Sequence, residues 1–258
     1  PLLAWRDGLK STLAALASWR ACGRNFLSAA LLTTNWLVYV WAVNHGHVLE
    51  SSLGYFLVPL VNVALGWGVL HERLRRLQWL AIGLAAAGVS VQLIQLGRLP
   101  WIALLIAGSF GVYGLLKKQS PLGPLAGLAV ETSLLAVPAA AFLLWRAVSG
   151  SGALGLASVA TQGVGRCSGV FTAVPLLLFA YGARRLRLTT LGLLQYIAPT
   201  AQFVLGIWYY RETFTPARAQ SFALIWAGLL LYTFDAGWSQ RHRAWRSLTP
   251  GRWPTIGS

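Results

Sequence analysis

The stretch RLRRLQWLAIGLAAAGVSVQL, Arg73 to Leu93, opens on Arg73, Arg75 and Arg76 and then runs to its end without a charge. An α-helix needs about 20 mostly apolar residues to cross roughly 30 Å of hydrocarbon, so this run predicts a transmembrane helix with a basic foot. The same pattern recurs on both sides of it. Apolar spans of that length are predicted at residues 25–44, 52–70, 78–96, 100–116, 125–145, 167–183, 190–210 and 219–237. The expectation is an all-α, polytopic membrane protein with eight transmembrane helices.

Composition agrees. The 258 residues are 56% hydrophobic and only 10% charged, where a soluble chain would carry roughly 25% charged residues. A net charge of +15 could suggest nucleic-acid binding. That function needs a basic face on a soluble fold, whereas the basic residues here form short clusters between apolar spans, so no nucleic-acid partner is expected. Cys22 and Cys167 have neither metal-ligand nor disulfide-framework spacing. The Gly/Ser/Ala-rich run from Ser149 to Gly165 reads as a flexible loop.

Cytoplasmic connectors collect Lys and Arg. When connectors are assigned alternately to the two sides, sixteen of the twenty-one basic residues fall on one side, including Arg20, Arg24, Arg75, Lys117, Lys118, Arg184 and Arg243; Arg98, Arg146, Arg166, Arg211 and Arg218 fall on the other. This predicts both chain ends on the cytoplasmic side of a bacterial cytoplasmic membrane.

PLVNVALGWGVLHE, 59–72, aligns with PTAQFVLGIWYYRE, 199–212, at an offset of 140, matching Pro59 with Pro199, Asn62 with Gln202 and Glu72 with Glu212; Gly88 and Gly228 follow at the same offset. The charge map puts the two copies in opposite orientations, so each copy has an odd number of helices. The expected layout is a ten-helix inverted 5+5 repeat. Residues 1–24 are the end of a truncated helix and an amphipathic segment, with a plain linker equally open. Residues 25–97 are the remaining three helices of the first repeat, 98–238 the five helices of the second, and 239–258 a basic tail. The start PLLAWRDG, without a signal-peptide layout, predicts a fragment of a longer reading frame. Inverted repeats characterise carriers that open a midplane site to either side in turn.

The segments at 35–66, 73–93, 108–118 (GSFGVYGLLKK), 131–140 (ETSLLAVPAA) and 185–200 (RLRLTTLGLLQYIAPT) resemble the EamA-like branch of the drug/metabolite transporter superfamily, and within it the RarD group of chloramphenicol-sensitivity proteins. The resemblance implies movement of a small organic solute across the cytoplasmic membrane and supplies no physiological substrate.

Polar residues in lipid are costly, which marks those that persist as candidates for a pathway. Asn35, Asn62 and Gln202 fall mid-span, and with the aromatic residues Trp36, Tyr113 and Tyr196 they form the candidate solute-binding set; helix-to-helix bonding is the competing reading for the amides. Pro59 and Pro199 are candidate matched hinges. Gly83, Ala87, Gly108, Gly111 and Gly114 read as close-packing positions. Glu131 is the one carboxylate well inside a span, and as an isolated acid it is the candidate proton-coupling residue. Glu72 and Glu212 read as interfacial residues without a site, Asp235 as a residue that snorkels to water, and His45 and His47 as a turn with little claim to a metal. No cofactor is expected, and no HExxH, GxSxG or phosphate-binding loop points to an enzyme. The favoured function is a secondary exporter of a small organic solute, proton-coupled through Glu131, with the bilayer as partner and a homodimer left open. The alternative is a structural or assembly subunit, or an inactive fragment of a carrier.

Overall fold

A computed structural model describes residues 18–97, 99–149, 159–208 and 216–248. Among them there are nine helices and no strand: α1 Trp19–Asn44, α2 Val48–Gly68, α3 Arg76–Leu96, α4 Trp101–Lys118, α5 Pro124–Val148, α6 Val159–Arg185, α7 Leu188–Leu194, α8 Ile197–Trp208 and α9 Pro216–Leu248. Six of them, α1 to α6, are long and apolar enough to cross a membrane. Helix boundaries follow local chemistry. Gly97 ends α3 in the left-handed conformation, φ 65°, where a residue without Cβ meets no steric penalty. The turn between α1 and α2 needs the same freedom at Gly46, φ 77°. His45 and His47, which flank it, stack on Trp41 with ring centroids 4.7 and 5.6 Å away. No group of metal-ligating side chains occurs among the described residues.

The seventh predicted span is not one helix. The chain breaks at Gln195 and Tyr196, between α7 and α8. Pro199, in the first turn of α8, has no N–H to give to the carbonyl four residues earlier, which is that of Gln195. Helix α7 closes instead with tighter bonds, Gln195 N–H to Gly192 O at 3.0 Å and Tyr196 N–H to Leu193 O at 3.2 Å. Pro59, by contrast, lies inside the continuous helix α2. The two prolines are therefore not equivalent hinges.

The chain divides into two compact units, Pro1–Glu72 with Pro100–Ile197, and Arg73–Leu99 with Ala198–Ser258. In the first, α4 packs against α1 and α2, α7 lies along α2, and α5 packs on α1 and α6. Gly111 and Gly114 of α4 allow this: a Cβ at Gly111 would stand 2.5 Å from Val61, and one at Gly114 3.2 Å from Phe179. Gly108 and Gly83 face open space, and Ala87 is exposed, so these three are not packing positions. Beyond Thr132, α5 turns apolar side chains such as Phe142, Leu144 and Trp145 outward, as a lipid-facing helix does.

The second unit is built on α3 and α9, which run antiparallel. Arg75, before α3, is paired with Asp235 near the far end of the α9 contact at 2.8 Å, while Ser221, early in α9, donates to the Gly88 carbonyl at 2.6 Å. The glycines set the crossing. A Cβ on Gly88 would lie 2.7 Å from Ser221 O, and a Cβ on Gly228 would lie 2.5 Å from Ala81 O. Asp235 is buried in its pair with Arg75 rather than snorkelling, because the guanidinium reaches it at the helix end.

Candidate functional site

Two polar clusters lie inside the first unit. The first surrounds Asn62, which is fully buried midway along α2. Its amide donates to Gln195 Oε1 at 2.6 Å, at the break between α7 and α8. Its own Oδ1 has no hydrogen-bond partner, a state that costs about 1–3 kcal/mol in a buried amide. Gly192 makes the approach possible: a Cβ there would fall 2.8 Å from both Asn62 Cβ and the Pro59 carbonyl. One residue after Gln195, the Tyr196 hydroxyl donates to Phe56 O at 3.2 Å, in the turn of α2 that Pro59 disturbs. On the α4 side, Tyr113 is fully buried with its hydroxyl unpaired. Its ring stacks on Phe179 at 6.0 Å, and Phe110 lies 4.9 Å from the same ring. The result is an amide oxygen and a phenol with unused hydrogen-bonding capacity beside an aromatic wall, next to a broken helix.

The opposite end of α7, its N-terminus, is fixed by Glu72. Its carboxylate accepts from Leu188 N at 2.7 Å, Thr189 N at 3.1 Å and the Thr189 hydroxyl at 2.7 Å, with Lys118 at 3.8 Å. A carboxylate suits the unpaired N–H groups and the positive dipole end of a helix. Glu72 is thus a cap and not a solvated interfacial residue; Glu212 lies outside the described residues. Glu50 acts similarly on α4, accepting from Ile102 N at 3.0 Å.

The second cluster centres on Glu131. It is not isolated. Lys117 Nζ stands 2.6 Å from its Oε1, with both side chains nearly fully buried at 6% and 2% exposure. The 2.6 Å approach is a charge-assisted contact to Oε1, and Oε2 is left without a partner. Tyr113 and Lys117 are four residues apart on α4, facing Gly127 and Glu131, four apart on α5. The ammonium lies 5.3 Å from the Tyr113 ring centroid, and a Cβ on Gly127 would stand 3.3 Å from Nζ.

The structure thus brings Asn62 and Tyr196 of the predicted set to the same break, while Tyr113, beside Gly114, packs on Phe179 and under Lys117. Asn35 bonds α1 to α4 instead, donating to Ile106 O at 2.8 Å and to Ser109 Oγ at 3.2 Å. Trp36 is 46% exposed and outside the cluster, and the Gln202 side chain lies outside the described residues. Gln195 and Lys117 were not anticipated. A signal existed for Gln195, since a glutamine four residues before a proline sits where a helix loses a bond. For Lys117 there was none, because its partner is supplied by another helix.

The EamA-like transporter family matches residues 1–94. Protein RarD of Streptomyces exfoliatus is 47% identical over 84% of this chain and 69% of its own length. The chain belongs to the EamA-like family, in its RarD group. Other EamA-like relatives include the Bacillus subtilis transporter YojE, 49% identical over 81% of this chain and 70% of its own, and Escherichia coli Protein RarD, 45% identical over 83% and 73%. One solved crystal structure, at 20% identity and a TM-score of 0.57 over 89% of this chain and 83% of its own, is similar in fold. The protein is a multi-pass membrane transporter.

Proposed function

We propose that the protein is a secondary carrier that exports a small, aromatic or amphipathic organic solute across the cytoplasmic membrane by alternating access, coupled to protons through Glu131. The observation that carries the solute reading is the buried, unpaired Asn62 Oδ1 at the helix break. Discontinuous helices at membrane depth expose backbone and side-chain groups to a bound solute. Asn62 Oδ1 would accept a donor from the solute, the Tyr113 hydroxyl would offer a second hydrogen bond, and Phe110 and Phe179 would supply apolar contact. The inverted-repeat reading is supported by the α3–α9 crossing: 81, 85 and 88 plus 140 are 221, 225 and 228, and a Cβ at Gly88 meets Ser221 and Ile225 where one at Gly228 meets Ala81 and Ala85. Such reciprocal contacts are those of an isologous, two-fold interface. Both chain ends are assigned to the cytoplasmic side from the distribution of Lys and Arg.

The test is flux in proteoliposomes with an imposed proton gradient and a panel of aromatic and amino-acid-like solutes. Asn62→Leu is expected to abolish movement of the solute while the protein still folds. Glu131→Gln is expected to leave movement that no longer depends on pH. Full flux through Asn62→Leu would remove the solute site, and unchanged pH dependence in Glu131→Gln would remove the coupling.

A further inference from the structure

A cleft of about 250 Å³ lies where α1 meets the turn between α4 and α5, with Arg24, Asn25 and Ser120 in its wall. The same three residues also line a second, narrow cavity of about 10 Å³, whose inner wall is Ser28, Leu116, Lys117 and Glu131. The inner cavity is at the lower limit for a single water, which needs roughly 10–15 Å³. An organic solute does not fit it. Ser28 Oγ and Glu131 Oε2 lack a hydrogen-bond partner, while Glu131 Oε1 is held by the Lys117 ammonium at 2.6 Å. Ser28 is 3% exposed, so bulk solvent does not satisfy it. A small polar space with two unpartnered oxygens beside an ion pair is suited to a water or a proton.

The charges facing Glu131 are few. Lys117 and Tyr113 approach it from α4, and Arg24 from α1 across the same cavity. From the α6 end, Arg184 is engaged with the Leu122 carbonyl just before α5. Arg24 is likewise engaged, donating to the Gln119 carbonyl at the cleft. Lys117 is therefore the cation in direct contact with the carboxylate, and the Lys117–Glu131 pair ties the end of α4 to α5.

We propose that Ser28, Lys117 and Glu131 form a proton-binding site, loaded through the Arg24–Asn25–Ser120 cleft from the Lys- and Arg-rich face of the protein. A hydronium at the inner cavity gives its proton to a Glu131 oxygen and remains as water. The pair passes from neutral to a net charge of +1, carried by the Lys117 ammonium against the face of Tyr113. The tie between α4 and α5 then loses its attraction, which gives protonation a mechanical consequence. This deepens the proton-coupled reading above and rests on it for its use, but the site can be tested without any solute.

The experiment is infrared difference spectroscopy, acid minus alkaline, on the protein in lipid and without solute. The expected result is a carboxyl band that is lost in Glu131→Gln and displaced in Lys117→Gln, where its cationic neighbour is gone. Its deuterium exchange is expected to slow in Ser28→Val, which fills the inner cavity. A band that survives in Glu131→Gln, or no band at all, overturns the site. Exchange at the wild-type rate in Ser28→Val overturns the route. Glu131→Gln conserves shape, so the decisive arm stands even where Lys117→Gln does not fold. A band that behaves as expected in a protein that moves no solute would count against the transport reading and not against the site.

Discussion

The offset of 140 links two pairs of segments, α3 with α9 and α2 with α7 and α8, and the pairs behave differently. Helix α3 and the first part of α9 keep reciprocal contacts, with Gly88 and Gly228 each closing on the other helix's backbone. Helix α2 is related in the same way to α7 and α8, yet α2 is continuous across Pro59 while its counterpart is broken ahead of Pro199. Asn62 bonds Gln195, which is not its counterpart at that offset. The pair held by small residues makes reciprocal contacts; the pair that carries the buried Asn62 and Tyr196 does not. The solute site proposed above lies in the asymmetric pair, and the symmetric pair is proposed as scaffold.

The largest effect should come from breaking the symmetric pair. In Gly228→Leu a Cβ would lie 2.5 Å from Ala81 O, against backbone that cannot rotate aside. The expected loss is about 3 kcal/mol or more, at the upper end of overpacking costs, read as a collapse of the folded fraction in detergent on heating. Full stability in Gly228→Leu would mean that the α3–α9 crossing is not a close one.

On the asymmetric pair, the cap is the next lever. Glu72→Ala leaves Leu188 N, Thr189 N and the Thr189 hydroxyl without their acceptor. A cost of about 1–2 kcal/mol is expected, the range for losing a helix cap, with Glu72→Gln recovering part of it by keeping an acceptor. Unchanged melting in Glu72→Ala would return Glu72 to the role of a solvated interfacial charge.

Much of this was legible in the sequence for a physical reason. Lipid demands long apolar runs and sorts basic residues to one side, so the spans and their basic feet stand out one by one, as at Arg73–Leu93. The offset between Gly88 and Gly228 was visible too, though not which backbone each would meet. What depends on a second helix was not legible. Glu131 read as an isolated acid because Lys117, fourteen positions earlier, looked like a connector charge; only the packing of α4 and α5 against α1 buries both. Asp235 and Glu72 were misread for the same reason, since each takes its partner from a distant segment. The break before Pro199 lay between these cases: proline's missing donor is local information, but whether a proline ends a helix or only bends it, as at Pro59, is decided by what packs on the freed carbonyls.

The smallest effect makes the sharpest internal control, because it is confined to one helix. Gly83 and Gly88 both lie in α3, but a Cβ on Gly83 meets nothing within 4 Å, whereas one on Gly88 would press on Ser221 O at 2.7 Å and Ile225 at 2.9 Å. Alanine is the better helix former by about 0.8–1.0 kcal/mol in either position. Gly83→Ala should therefore be neutral or gain up to about 1 kcal/mol, since only the propensity changes. Gly88→Ala should lose stability despite the same gain, because the crossing must open by several tenths of an ångström to admit the methyl. Thermal melting of the two variants side by side removes composition and helix as variables and leaves packing, since Gly83 is exposed and Gly88 is buried. Equal melting temperatures would show that Gly88 is not a contact point, and the contrast between a symmetric scaffold and an asymmetric site would then lose its anchor in α3.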